Sequence, residues 1–189
     1  DPNDSDSYNS LGAIYYDKGE MEKAEQYFTK AIRINPKNWS PHTNMGVIYF
    51  KKRLFDEAIQ EFEKGIQLSP DQVGAYVNLA LAYENKQLLE KAILYLKRAL
   101  DYFPDSYIAL FHLGRIYYNQ RNFGAANFYF NEALRLKSED GGTNYYLGLL
   151  AHASANYYFQ KAREANFGEP KRLMSEALIE EQLPKGKGR

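Results

Sequence analysis

Residues 7–36 read SYNSLGAIYYDKGEMEKAEQYFTKAIRINP, and residues 75–104 read AYVNLALAYENKQLLEKAILYLKRALDYFP. Laid one over the other, Tyr8 meets Tyr76, Leu11 meets Leu79, Tyr15 meets Tyr83, Ala24 meets Ala92 and Pro36 meets Pro104. The offset is two periods of 34 residues, and the intervening and following sequence carries the same period. Small residues recur at Gly12, Gly46, Ala80, Gly114 and Gly148, preceded by Leu11, Met45, Leu79, Leu113 and Leu147. Three residues further come Tyr15, Tyr49, Tyr83 and Tyr117, with Ala151 in the fifth unit. A second set follows: Ala24, Ala58, Ala92 and Ala126, then Phe28, Phe62, Leu96 and Phe130, then Ala31, Gly65, Ala99 and Ala133. Pro36, Pro70 and Pro104 close the first three units. So many series on one period establish a repeat array.

Each unit reads as two helices. Leu11, Gly12 and Tyr15 have helical spacing, as do Ala24, Phe28 and Ala31. Gly19 lies between the two sets, where a helix ends and a tight turn is wanted. Small residues on facing surfaces let two helices approach, and the large ring one turn away fills the gap beside them. Proline lacks the N–H that helix continuation requires, which places it just past the second helix. Asn38, Ser40, Asp105 and Ser106 offer side-chain oxygens to cap the helix that follows. One such pair cannot bury its own apolar face. Stacking buries it, so the fold class expected is all-α: a right-handed superhelical solenoid of about five helix-turn-helix repeats plus a C-terminal capping helix.

This pattern of an aromatic, Leu-Gly, Tyr, then Ala, Phe, Ala and Pro within 34 residues resembles the tetratricopeptide repeat, over roughly residues 5 to 169. The resemblance implies a fold and a role in binding other proteins, and leaves the partner open. The organisation it suggests has residues 1–4 as the end of an upstream repeat and repeats at 5–38, 39–72, 73–106 and 107–140. A shortened, degenerate repeat follows at 141–169, then a capping helix at 170–183 and a disordered basic tail at 184–189. The upstream repeat is expected because Pro2 stands 34 residues before Pro36.

The fifth repeat departs from the pattern. Its fourth position, held by Tyr8, His42, Tyr76 and Leu110 in the others, is Asn144. Its second small–aromatic–small series, Ala155, Phe159 and Ala162, arrives five residues early. A tight turn near residues 152–156 is the favoured reading, and one continuous helix is the alternative, since residues 149–166 contain no Gly or Pro. Beyond it, Leu173, Met174, Ala177 and Leu178 form one apolar stripe after Pro170, as an end cap requires.

Composition narrows the function. The chain has 189 residues, 44% apolar and 25% charged, with 24 basic and 24 acidic residues. Such a balance suits a folded chain. The absence of a positive surplus argues against nucleic acid, whose affinity comes from neutralised phosphates. No apolar run reaches the roughly 18–20 residues that cross a bilayer, so membrane insertion is not expected. There is no cysteine, which removes disulfides and thiolate chemistry and leaves the compartment unassigned. His42 occupies a core aromatic slot, and His112 and His152 fall in different repeats. With no ligand-spaced cluster, no Gly-rich phosphate loop and no nucleophile elbow, neither an enzyme nor a metal or cofactor site is expected.

Binding is then read from geometry. At about 100° per residue, the face opposite the core of each first helix becomes the inner wall of the stack. That wall is expected to hold Asn9, Ala13 and Tyr16, then Thr43, Asn44, Val47, Phe50 and Lys51, then Val77, Asn78, Leu81, Glu84 and Asn85. Ile108, Phe111, His112, Arg115, Tyr118 and Asn119 follow, then Tyr145, Leu149 and His152. Val77, Leu81, Ile108, Phe111, Tyr118, Tyr145 and Leu149 would form one apolar strip, larger than soluble proteins leave uncovered without a partner. With Asn44, Phe50, Asn78 and Arg115 they are the candidate partner-binding residues, and the expected partner is another protein offering an apolar or aromatic peptide or helix. Asn44 and Asn78 share one register, where amides in some relatives clamp a peptide backbone, although Ser10, His112 and Tyr146 interrupt the series. The carboxylate clamp by which other relatives hold chaperone tails is not expected. Its positions fall here on Asn9, Ala13, Asn44, Gly74 and Asn78, without the required cations. The expected function is a scaffold or adaptor; the alternative is the binding arm of a larger enzyme or secretion machine.

Overall fold

The computed structural model describes residues 4–164. They form nine helices in antiparallel pairs: α1 (Ser5–Asp17) with α2 (Met21–Ile34), α3 (Trp39–Lys51) with α4 (Phe55–Leu68), α5 (Val73–Asn85) with α6 (Leu89–Tyr102), and α7 (Tyr107–Asn119) with α8 (Phe123–Leu136). The last helix, α9 (Gly141–Glu164), follows alone. Each helix packs chiefly on its neighbours in sequence, which is a one-dimensional stack. First helices also meet first helices: α1 touches α3, α3 touches α5 and α7 touches α9, with no comparable contact between second helices. The first helices therefore line the inner side of the array.

The small–large pairs do the steric work expected of them. A Cβ placed on Gly46 would lie 2.7 Å from the Phe62 ring, and one on Gly114 would lie 2.6 Å from the Phe130 ring. In the third pair the exchange runs the other way: Ala80 replaces the glycine and the smaller Leu96 replaces the ring, and both are buried. Volume is conserved across the contact, as a close-packed interior demands.

Each turn inside a pair closes in one way. After α3, the Arg53 N–H donates to the Phe50 carbonyl and the Leu54 N–H to the Tyr49 carbonyl, the two bonds of a Schellman ending. The residue at its centre takes a left-handed conformation, with φ of 78° at Gly19, 62° at Arg53, 61° at Gln87 and 57° at Arg121. Only the first turn has the residue that adopts it without steric cost. First helices are capped by side chains where the sequence allows: Asp4 accepts from Asp6 and Ser7, Asn38 from Ser40, and Ser106 from Ala109.

The fifth unit differs from the favoured reading. No turn forms at residues 152–156, and α9 runs unbroken from Gly141 to Glu164. Residues 149–164 contain neither Gly nor Pro to break the helix where the turn was expected, so the hydrogen-bond ladder continues. Gly148 consequently has no neighbour within 4 Å of a built Cβ, although it stands in register with Gly114. The start of α9 is fixed by Asp140, whose carboxylate accepts from the Thr143 N–H at 2.7 Å and the Thr143 hydroxyl at 2.9 Å. The expected capping helix at 170–183, the tail at 184–189 and residues 1–3 lie outside the described residues.

The outer face of α1 is open. Leu11 is 38% exposed and Ile14 49%, whereas their register mates Met45 and Ile48 are 3% and 0% exposed. In α3 and α5 this face is covered by the preceding second helix, and Lys52 and Lys86 reach back to Glu25 and Asp56 of that helix. Lys18, in the same register, lies instead over the Tyr15 ring.

Candidate functional site

The inner wall is built from the first helices, and most of its polar groups are tied to one another. Asn44 donates its amide to the Asn9 side chain at 2.9 Å, and Asn9 donates to Ser40 at 3.0 Å. Asn85 donates to the Leu81 carbonyl one turn back. Arg115 pairs with Glu84 at 2.6 Å and meets His112 Nδ1 at 3.2 Å. Burial, with the Arg115 charge beside it, lowers His112 to about 4, so its ring is neutral at pH 7 and Nδ1 accepts the guanidinium hydrogen. The Arg115 Nε is buried without a partner. Among the described residues, the amide or charged groups of the wall with no polar partner are Asn78, Lys51 and, at the end of α7, Asn119.

Asn78 and Lys51 line the same depression. A cavity of about 200 Å³ opens between α3 and α5, bounded by Val47, Phe50, Lys51, Phe62, Asn78 and Leu81. Its floor reaches the Phe62 ring of α4, which is 1% exposed and sits over Gly46. Phe50 stands at its side, held edge-on against Phe55 with ring centres 5.5 Å apart. Apolar side chains thus form the walls, with one amide and one ammonium free for a guest.

The structure brings together three of the expected site residues, Phe50, Asn78 and Leu81, in this cavity. Val77 does not belong with them. It is only 6% exposed and is part of the core, because neighbouring first helices approach closely enough to cover a residue one step off the crest of the wall. Phe111 is committed to a ring cluster: its centroid lies 5.8 Å from Tyr146, 6.1 Å from Phe130 and 6.1 Å from Tyr107. Tyr118 packs on Tyr146 and Phe123. Ile108 and Tyr145 do face solvent, at 54% and 63% exposure, and Leu149 is half-buried. The strip expected along repeats three to five is therefore interrupted, and the open apolar depression lies nearer the middle of the array. Val47 and Lys51 were on the expected wall without being singled out. Phe62 carried no sequence signal for this place, since its spacing marks it only as a core ring.

His42 is held as a structural side chain. It is 7% exposed, with Nδ1 at 2.7 Å from Glu61 and Nε2 at 3.2 Å from the Pro36 carbonyl. Among the described residues no three His, Asp or Glu side chains converge as metal ligands. No described helix is long and apolar enough to cross a membrane.

The repeat length, the paired helices and the ring-on-glycine contacts find their counterpart in known families. Tetratricopeptide repeat families match residues 5–38, 27–60, 73–106 and 90–141, and a further TPR repeat family matches 55–87. The chain belongs to the tetratricopeptide repeat family. No curated protein matches the sequence. Among solved structures, MamA of Desulfovibrio magneticus is 24% identical over 74% of this chain and 79% of its own, with a TM-score of 0.65. PilF of Pseudomonas aeruginosa is 18% identical over 96% of this chain and 84% of its own, with a TM-score of 0.74. The first tetratricopeptide domain of Spaghetti, solved bound to an HSP90 peptide, is 24% identical over 64% of this chain and 96% of its own, with a TM-score of 0.60. At these identities the likeness is one of fold. Within it, the tetratricopeptide first helices α3 and α5 present the cavity described above.

Proposed function

We propose that this tetratricopeptide array is a protein-interaction scaffold that docks a partner's peptide or helix along its inner wall. The carrying observation is the cavity between α3 and α5. It offers apolar walls, and the Asn78 amide and Lys51 ammonium beside it have no partner of their own. At about 200 Å³ it is smaller than the roughly 300–1,000 Å³ of sites for cofactors and drug-sized ligands. It suits one side chain: an engineered cavity of about 150 Å³ takes up benzene. An amide both donates and accepts, which fits the backbone on either side of an inserted residue. The bound peptide of the Spaghetti structure is a precedent for docking on this fold. The role is binding, with no reaction assigned to the wall.

The test is site-specific photocrosslinking in lysate. Asn85→p-benzoylphenylalanine places the probe on the inner wall, and Leu94→p-benzoylphenylalanine places it on α6, facing outward, where Leu94 is 48% exposed. A discrete adduct from position 85 and none from position 94 supports the reading. An adduct from 94 alone moves the partner to the outer surface and refutes it.

A further inference from the structure

We infer that the segment seated in the α3–α5 cavity is an extended peptide with an aromatic residue as its anchor and an Asp or Glu next to that residue. This rests on the docking role proposed above and adds the chemistry of the guest.

The ring follows from the cavity. Four of its six lining residues are apolar: Val47, Phe50, Phe62 and Leu81. Two of these are rings, and Phe50, only part-buried at the side of the cavity, offers a ring against which another can pack edge-on or offset. A volume of about 200 Å³ exceeds what a methyl or isopropyl group fills, and unfilled space forfeits dispersion contacts.

The carboxylate follows from the charges. Glu84, the acidic residue of the inner wall, is already paired with Arg115 at 2.6 Å. Lys52, next to Lys51 in the chain, is engaged by Glu25. Lys51 alone lines the cavity as a cation without an acid among the described residues, and it is exposed at the last turn of α3. A guest carboxylate beside the anchoring ring completes that pair, while a guest lysine there meets like charge. Asn78, on the opposite rim, is left for the guest's backbone.

The experiment is selection of a phage-displayed library of random 12-residue peptides on the protein comprising residues 1–189, run in parallel on Lys51→Glu and on Leu81→Trp. Wild type is expected to enrich peptides with Asp or Glu beside Phe, Tyr or Trp. On Lys51→Glu the acid should give way to Lys or Arg, with the aromatic retained. A synthetic acid–aromatic peptide from the wild-type selection should bind Lys51→Glu about fivefold more weakly at low salt. Leu81→Trp fills the cavity and should lose the aromatic preference, with an unchanged circular dichroism spectrum showing that the fold persists. Enriched peptides without the acid–aromatic pair, or the same pair on Lys51→Glu, would overturn the inference and leave the docking role standing. No enrichment on any form would overturn both.

Discussion

Gly114 and Gly148 stand one period apart on the first helix of successive repeats, and replacing each with alanine should move stability in opposite directions. At Gly114 the new methyl would lie 2.6 Å from Cδ1 and 2.7 Å from Cε1 of Phe130. That ring is 0% exposed, so it cannot swing into solvent to make room. Overpacking of this kind costs ~1–3 kcal/mol. Alanine recovers about 1 kcal/mol of helix propensity, leaving a net loss of up to ~2 kcal/mol. At Gly148 nothing lies within 4 Å of the methyl, so the propensity gain stands alone and α9 should be stabilised by about 0.5–1 kcal/mol. Gly46→Ala, 2.7 Å from Phe62, serves as a second instance of the first case. Urea unfolding followed by circular dichroism gives the midpoints. Native-state hydrogen exchange assigns the change to α7–α8 or to α9, since a repeat array need not open as one unit. Equal losses at 114 and 148 would mean that a second helix does fold back onto Gly148, and the continuous α9 would be wrong.

Three further outcomes are expected. Leu11→Glu and Ile14→Glu should cost less than about 1 kcal/mol, whereas Met45→Glu and Ile48→Glu bury an unpaired charge and should unfold their repeat; thermal melts of the four variants decide. His112, lowered to about 4 from an ordinary 6.5, stays neutral when folded while the unfolded chain takes up a proton. The stability it contributes is therefore present above pH 6.5 and lost as pH falls toward 4, at no more than roughly 1.4 kcal/mol per unit. His112→Gln should flatten urea midpoints across that window, and a wild-type profile already flat there would refute the assignment. Gln87→Gly relieves a left-handed residue at φ 61° and should raise stability by about 0.5 kcal/mol, since the roughly 1 kcal/mol of relief is partly offset by glycine's greater unfolded freedom; a lower urea midpoint would contradict it.

The fold was legible because its steric rule is written in residue size. A glycine that must accept a ring has to recur wherever the ring recurs, and Ala80 facing Leu96 shows the rule holding when both partners change. The turns were less legible: Gly19 announces the first, but Arg53, Gln87 and Arg121 occupy the same left-handed position without any such mark. In the fifth unit, Ala155, Phe159 and Ala162 kept the spacing of a second helix while the breaker that would separate it was missing, and backbone continuity prevailed. The site was half legible. A helical wheel gives the direction in which Val77 and Leu81 leave α5, but not how closely α3 and α7 crowd them. Val77 is covered and Leu81 opens on the cavity. Phe111 and Tyr118 were read as groove because the wheel cannot foresee that Tyr146 of α9 packs against both.

The docking claim is tested most directly by methyl and side-chain amide spectra of the labelled protein on addition of a selected peptide. The account predicts saturable shifts of the Val47 and Leu81 methyls and of the Asn78 side-chain amide, with Leu94 on the outer surface unmoved. Shifts confined to α2, α4, α6 and α8, with Val47, Asn78 and Leu81 silent, would contradict it.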